Sequence, residues 1–113
     1  MKIRIDQLPP SDNSVYRRRG GYGMYLTQEG KAWKELVSIM ANKFKPLEGE
    51  VAISLEFVFT DKRRRDAQNH IKLTLDALQG HFYLDDSQIH HLTVIKRYGK
   101  EPMTLVECRP YSG

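Results

Sequence analysis

The sequence predicts an α+β fold: a single-layer mixed β-sheet with two main helices, in the order β-α-β-α-β-β. Three observations predict it. Apolar residues alternate with period two in several separated segments, the pattern of half-buried strands. Two other segments repeat apolar residues at helical spacing. Clusters of Pro, Gly, Asp and Asn punctuate the boundaries between them. The 113 residues suit one domain spanning 1–113.

The first strand is read from Lys2 to Gln7, with Ile3 and Ile5 on one face. Pro9-Pro10-Ser11-Asp12-Asn13 ends it, because proline removes a donor and restricts the residue before it. A long loop is expected from Pro9 to about Leu26. It holds Tyr16-Arg17-Arg18-Arg19-Gly20-Gly21-Tyr22-Gly23 and then Tyr25. A loop of this length in a small domain is usually functional or mobile. Thr27 is a helix N-cap by type, and Glu29 falls in the first turn, where the helix dipole favours a negative charge. Trp33, Leu36, Val37, Met40, Ala41 and Phe44 then recur at helical spacing to about Lys45. Trp33 heads this stripe and belongs to the core or to a dimer interface. Pro46 and Gly49 stop the helix.

Val51 to Thr60 alternates, with Val51, Ile53, Leu55, Phe57 and Phe59 on one face. Ala52 and Val58 on the other face make it a partly covered central strand. Asp66 to Gln79 reads as the second helix, with Ile71, Leu75 and Leu78 as its stripe and Gly80 as its stop. Gln88 to Tyr98 is a strand. Gly99-Lys100-Glu101-Pro102 is a turn, and Met103 to Arg109 is expected to close a hairpin with the strand before it.

Charge narrows the function. Lys and Arg number 18 against 14 Asp and Glu, for a net +4. No apolar run is long enough to span a bilayer, and the N-terminus lacks the uninterrupted apolar stretch of a secretory signal. The single Cys108 excludes an intrachain disulfide framework and fits a reducing compartment, so a cytoplasmic protein is expected, with no membrane partner. The sequence holds no nucleotide-binding fingerprint and points to no small-molecule cofactor.

The basic residues collect in two runs. Lys62-Arg63-Arg64-Arg65 lies between a strand and a helix. Arg17-Arg18-Arg19 lies among Tyr16, Tyr22 and Tyr25. Cations interleaved with aromatic rings suit a nucleic acid backbone, with phosphates neutralised and bases stacked. A solvated turn would look the same in charge alone. Asp61, Asp66, Asp76, Asp85 and Asp86 fall among these cations. Acids beside a phosphate-binding surface oppose DNA affinity unless they hold divalent cations, and Mg²⁺ takes oxygen ligands shared with phosphates. Plain helix capping by Asp66 and an Asx turn at Asp85-Asp86 are the alternatives. Along the expected second helix, Asp66, Asn69, Lys72 and Asp76 share a polar face. That face is either ion-paired, through Lys72 and Asp76, or a metal ligand at Asp66 with Lys72 placed to meet a phosphate.

The run from Arg63-Arg64-Arg65-Asp66-Ala67-Gln68-Asn69-His70-Ile71-Lys72 to Asp76-Ala77-Leu78, followed by Leu84-Asp85-Asp86-Ser87-Gln88, resembles the signature of the RusA family of Holliday junction resolvases. Pro9-Pro10-Ser11-Asp12-Asn13 with Tyr16 and Arg17 is similar to that family's N-terminal segment. The resemblance covers nearly the whole chain. It implies a homodimeric, Mg²⁺-dependent endonuclease that binds four-way DNA junctions and makes paired symmetric nicks in recombination and repair. Carried over by position, Asp66 and Asp86 are metal-binding catalytic acids and Lys72 the catalytic lysine. Asp85 and Asp76 are supporting candidates. Arg65 contacts DNA, with Tyr16, Arg17, Arg18, Lys62, Arg63, Arg64 and Asn69 around it. A dimer matches the two-fold symmetry of a junction.

One position departs from the family pattern. A second acid is expected two residues after Asp66, and Gln68 stands there. A glutamine carbonyl can ligate Mg²⁺ but brings no charge. Asp76 or Asp85 compensates, or the protein cuts weakly or with Mn²⁺, or it binds junctions without cutting them. The histidines His70, His81, His90 and His91 are read as surface or core-edge residues. His90 and His91, adjacent on a strand, should face opposite sides.

Overall fold

A computed structural model describes residues 1–18, 24–63 and 65–113. The elements in chain order are β1 (Lys2–Ile5), α1 (Asp12–Val15), β2 (Tyr16–Arg18), β3 (Met24–Leu26), α2 (Gln28–Ala41), β4 (Val51–Phe59), a 3-10 turn (Ala67–His70), α3 (Ile71–Leu78), a second 3-10 turn (Asp86–Gln88), β5 (Ile89–Tyr98) and β6 (Met103–Pro110). The main sheet has the order β1-β6-β4-β5, and β2 with β3 forms a separate two-stranded ribbon. The sheet is mixed: β4 runs parallel to β5 and antiparallel to β6, and β1 is antiparallel to β6.

Alternation explains the packing. Ile53 pairs with Cys108, Leu55 with Val106 and Phe57 with Thr104, so these residues share one face. Ile3 and Ile5 join them through Val106 and Thr104. α2 and α3 pack side by side and supply Trp33, Val37, Ala41, Leu73, Ala77 and Leu78 to the same core. Phe57, Phe59, Leu55 and Ile53 are completely or almost completely buried. Burying each such side chain contributes roughly 1.5–3 kcal/mol. The β4 face was readable because every other residue is large and apolar.

The expected hairpin of the last two strands does not form. β6 is inserted between β1 and β4, and among the described residues β5 pairs only with β4. Burial explains the order. β6 carries the buried Thr104, Val106 and Cys108 and therefore takes an interior position. Most of β5 is exposed, so it takes the edge. β4, α3 and β5 form a parallel crossover unit, which needs an intervening helix. The short link from β5 to β6 must then pass over the end of β4. Gly99 makes that crossing, its N–H donating to the Phe59 carbonyl at 2.9 Å. A Cβ on Gly99 would lie 2.8 Å from Val58 Cγ1. Gly99→Ala is therefore expected to destabilise the fold by about 1–3 kcal/mol, read as a lower urea midpoint. An unchanged midpoint would show that the crossing has room to spare.

The helices also differ from expectation in detail. Thr27 is the N-cap of α2, its hydroxyl accepting from the Gly30 N–H at 3.4 Å. α2 ends at Ala41 rather than near Lys45, and Phe44 turns back onto Phe82 with ring centroids 5.3 Å apart. The second helix begins as a 3-10 turn and becomes α-helical only at Ile71. It ends at Leu78, two residues before Gly80, whose φ of 90° is a conformation that glycine adopts freely. The region read as a loop from Pro9 to Leu26 contains α1 and the β2–β3 ribbon. The strand register shifts at the start of β5, where Val51 faces Ile89 but Ala52 faces His91. This irregularity breaks the alternation, so His90 and His91 both lie near the Tyr111 ring, at 5.7 and 6.3 Å.

Candidate active site

The site is built around the N-terminal half of α3, and residues 9–16 wrap it. The Nδ1–H of His70 donates to the Pro9 carbonyl at 3.0 Å. Asp12 accepts from the backbone N–H groups of Lys72 at 3.1 Å and Leu73 at 3.0 Å. The Tyr16 hydroxyl donates to the Asp76 carboxylate. Positions 9, 12 and 16 thus meet positions 70, 72–73 and 76, so two segments far apart in sequence run in step. Ser11 starts this arrangement by capping α1, its hydroxyl accepting from the Asn13 N–H at 3.3 Å.

The Asp12 contact explains the broken helix. An α-helix leaves its first N–H groups unpaired, and Asp12 satisfies two of them at the start of α3. The preceding residues can therefore remain in a 3-10 turn. Sequence alone does not mark Asp12 as a site residue. Its signal was the acid in Pro9-Pro10-Ser11-Asp12-Asn13, which sequence alone assigns to a turn. Burial raises its carboxyl above the usual value, against the lowering pull of the Leu73 and Lys72 N–H groups.

Lys72 is exposed, with its ammonium over the Tyr16 ring, 4.2 Å from the centroid. The direct Lys72–Asp76 ion pair allowed by their spacing is replaced by this ring and its hydroxyl. Burial, and then Asp76, push the Tyr16 hydroxyl well above its ordinary value.

Asp66, Asn69, His70, Ser11 and Arg65 line a pocket of about 440 Å³. Asp66 is exposed, and its carboxylate makes no capping bond to the 3-10 turn. Gln68 is exposed on the same turn. Arg65 is fixed from several sides. Asp61 holds its guanidinium at 2.8 and 3.2 Å, the Phe59 ring lies 5.1 Å below, and its carbonyl accepts from Lys96 at 2.6 Å. The Arg65 guanidinium, followed by the Arg63 N–H, holds the Asp61 carboxyl below the usual range. Lys62, Arg63 and Arg17 are exposed. Arg64, the side chain of Arg18, and residues 19–23 lie outside the described residues. His70 is buried against Phe57 and Phe59, as a core-edge histidine.

Asp85 and Asp86 sit on the second 3-10 turn. Asp85 caps it, accepting from the Ser87 N–H at 3.2 Å and from the Ser87 hydroxyl, which holds its carboxyl low. Gln88 completes the capping box, accepting from the Leu84 and Asp85 N–H groups at 2.8 and 2.9 Å. It also donates to the carbonyls of Leu47 and Gly49, both at 2.8 Å, tying the turn to the chain ahead of β4. Asp86 is exposed. Tyr83 stands between this turn and α3, its hydroxyl donating to the Leu75 carbonyl at 2.5 Å. Burial raises that hydroxyl most, followed by Asp76, Cys108 and Asp86.

The four predicted metal ligands therefore lie on two turns, Asp66 and Gln68 on the first and Asp85 and Asp86 on the second. Among the described residues, no three His, Cys, Asp or Glu side chains group closely enough to hold a metal ion. The exposed Asp66 and Asp86 still fit a hard divalent cation by donor type. Such a cation needs only one or two carboxylates, with water and substrate phosphates completing its shell.

An exposed lysine, uncommitted carboxylates and flanking cations are the residue types that chemistry on a phosphodiester backbone calls for. A family model described as Endodeoxyribonuclease RusA matches residues 7–109, and the chain belongs to the RusA family. The chain is 35% identical over 107 residues to Crossover junction endodeoxyribonuclease RusA of Escherichia coli (strain K12), covering 88% of each. It is 34% identical over the same length and share to the protein of that name from Enterobacteria phage 82. With the one from Enterobacteria phage HK97 it shares 32% over 92 residues, 78% of this chain and 76% of that one. No helix among the described residues is long and apolar enough to cross a membrane.

Proposed function

We propose that this protein is a metal-dependent endonuclease that cuts four-way DNA junctions by paired symmetric nicks, acting as a homodimer in recombination and repair. The observation that carries the proposal is the exposed Lys72 ammonium on α3, one turn beyond the pocket that holds Asp66, in a chain of the RusA family.

Asp66 and Asp86 would hold Mg²⁺, with the Gln68 carbonyl as a neutral donor. A bound cation of this kind neutralises phosphate charge and lowers the pKa of water. Lys72 meets the phosphate oxygens and stabilises their charge as the bond breaks. Arg17, Lys62 and Arg63 track the backbone by neutralising phosphates. Arg65, clamped by Asp61 against Phe59, gives this wall a fixed shape. A two-fold dimer sets one such site on each of two opposed strands.

Gln68 favours a second reading, in which the protein binds junctions without cutting. Asp76 is bonded to Tyr16 and Asp85 to Ser87, so neither is a free replacement for the missing acid. A mobile four-way junction and a linear duplex, each tested in Mg²⁺ and in Mn²⁺, decide between the readings. Symmetric nicking of the junction alone is expected. Gln68→Asp should raise the Mg²⁺-supported rate about tenfold, because a second charge joins Asp66. Binding without nicking in either metal would establish the second reading. Equal cutting of linear duplex would overturn both.

A further inference from the structure

Lys72 and Asp76 are one helical turn apart on α3, the spacing at which lysine and aspartate ordinarily pair. They do not pair here. The Tyr16 hydroxyl donates to Asp76, and the face of the same ring lies under the Lys72 ammonium at 4.2 Å. One side chain from β2 therefore holds both partners of an ion pair and keeps them apart.

The chemical consequence concerns Lys72. A direct ion pair would draw the ammonium onto the Asp76 carboxylate and offset the charge it offers a phosphate. An aromatic face attracts an ammonium weakly at an exposed site and engages it from one side. An ammonium carries three N–H donors, so donors remain for a phosphate oxygen. Hydrogen bonding to Asp76 also fixes the ring, which is half-buried against α3.

We infer that Tyr16 and Asp76 are positioning residues for Lys72: the ring seats the ammonium, and the hydroxyl restrains the carboxylate that would otherwise capture it. The inference rests on the proposed action of Lys72 on the phosphate. It differs from the reading of Tyr16 as a base-stacking residue, because the ring face is already used within the chain.

The test uses single-turnover cleavage of a four-way junction at saturating enzyme, with junction affinity measured in parallel. Tyr16→Phe keeps the ring and removes the hydroxyl, which releases Asp76 to pair with Lys72. The cleavage rate is expected to fall about tenfold with affinity changed less than about twofold. Adding Asp76→Asn to Tyr16→Phe removes the competing charge and should restore most of that rate. A purely structural role for Tyr16 predicts the opposite, since a second substitution would add damage. Wild-type cleavage by Tyr16→Phe, or no recovery in the double variant, overturns the inference.

Lys72→Ala separates this inference from the reading beneath it. If Lys72→Ala cuts at the wild-type rate, Lys72 does not act on the phosphate and the inference falls with that assignment. If the wild-type protein cuts nothing, proton NMR of the Lys72 ε-methylene decides. Signals shifted upfield by the ring, and relaxed toward the free-lysine position in Tyr16→Leu, support the seat. Unshifted signals in the wild type overturn it.

Discussion

Asp66→Asn is expected to leave the protein folded and able to bind a four-way junction while lowering its cutting rate by about a thousandfold or more, equivalent to roughly 4 kcal/mol of transition-state stabilisation. The substitution keeps size and shape and removes only the charge. Asp66 is exposed and makes no capping bond, so folding has little to lose from the change. The proposed metal site, with a neutral Gln68, has few carboxylates to depend on, so the loss of one is expected to fall on catalysis. Junction affinity should hold or rise, because an acid beside the DNA phosphates is removed. Asp86→Asn should behave alike. Asp85→Asn should cost less activity and show instead in stability, because its carboxylate caps the turn through Ser87. Denaturing gels for nicking and mobility shifts for binding check these outcomes. Near-normal cutting by Asp66→Asn would remove it from the reaction.

The parts of this structure that sequence reveals are those ruled by local periodicity. β4 declares itself through Val51, Ile53, Leu55, Phe57 and Phe59, and it is the strand on which the sheet is built. α2 declares itself through Thr27 and the stripe from Trp33 to Ala41. Strand order was not legible. Alternation marks β5 and β6 as strands but does not state their neighbours, and a short connection ordinarily means a hairpin. The clue was burial, in that β6 has the apolar face of an interior strand and β5 does not. The site divides in the same way. Asp66, Lys72 and Asp86 are candidates by residue type and motif. Asp12 and Tyr16 act across some 60 residues of chain, and no periodicity carries such information. The continuous helix expected from Asp66 is broken for a related reason, because capping of α3 by Asp12 from outside allows the preceding turn to be 3-10.

Asp12→Ala should lower stability by about 1–2 kcal/mol at neutral pH, read from urea unfolding, and should also disturb Lys72. Two backbone N–H groups at the start of α3 lose their acceptor, and the methyl group offers no replacement. Asp12→Asn retains an acceptor oxygen and should lose less. The comparison between wild type and Asp12→Asn also carries a pH signature. Burial raises the Asp12 carboxyl in the folded chain above its ordinary value of 3.8, so the folded state binds this proton more tightly than the unfolded state does. The stability linked to that proton is fully present below pH 3.8 and is lost as the pH rises through the folded value. Wild type should therefore lose ground relative to Asp12→Asn over that window, even though the ionised carboxylate still serves both N–H groups above it. A gap that widened in favour of wild type on raising the pH would mean that the two N–H groups and the positive end of α3 outweigh burial. Asp12 would then be an anion bound at a helix terminus rather than a buried acid that tolerates its charge. In either case Asp12 fixes the backbone from which Lys72 projects, so its loss should lower single-turnover cleavage along with stability.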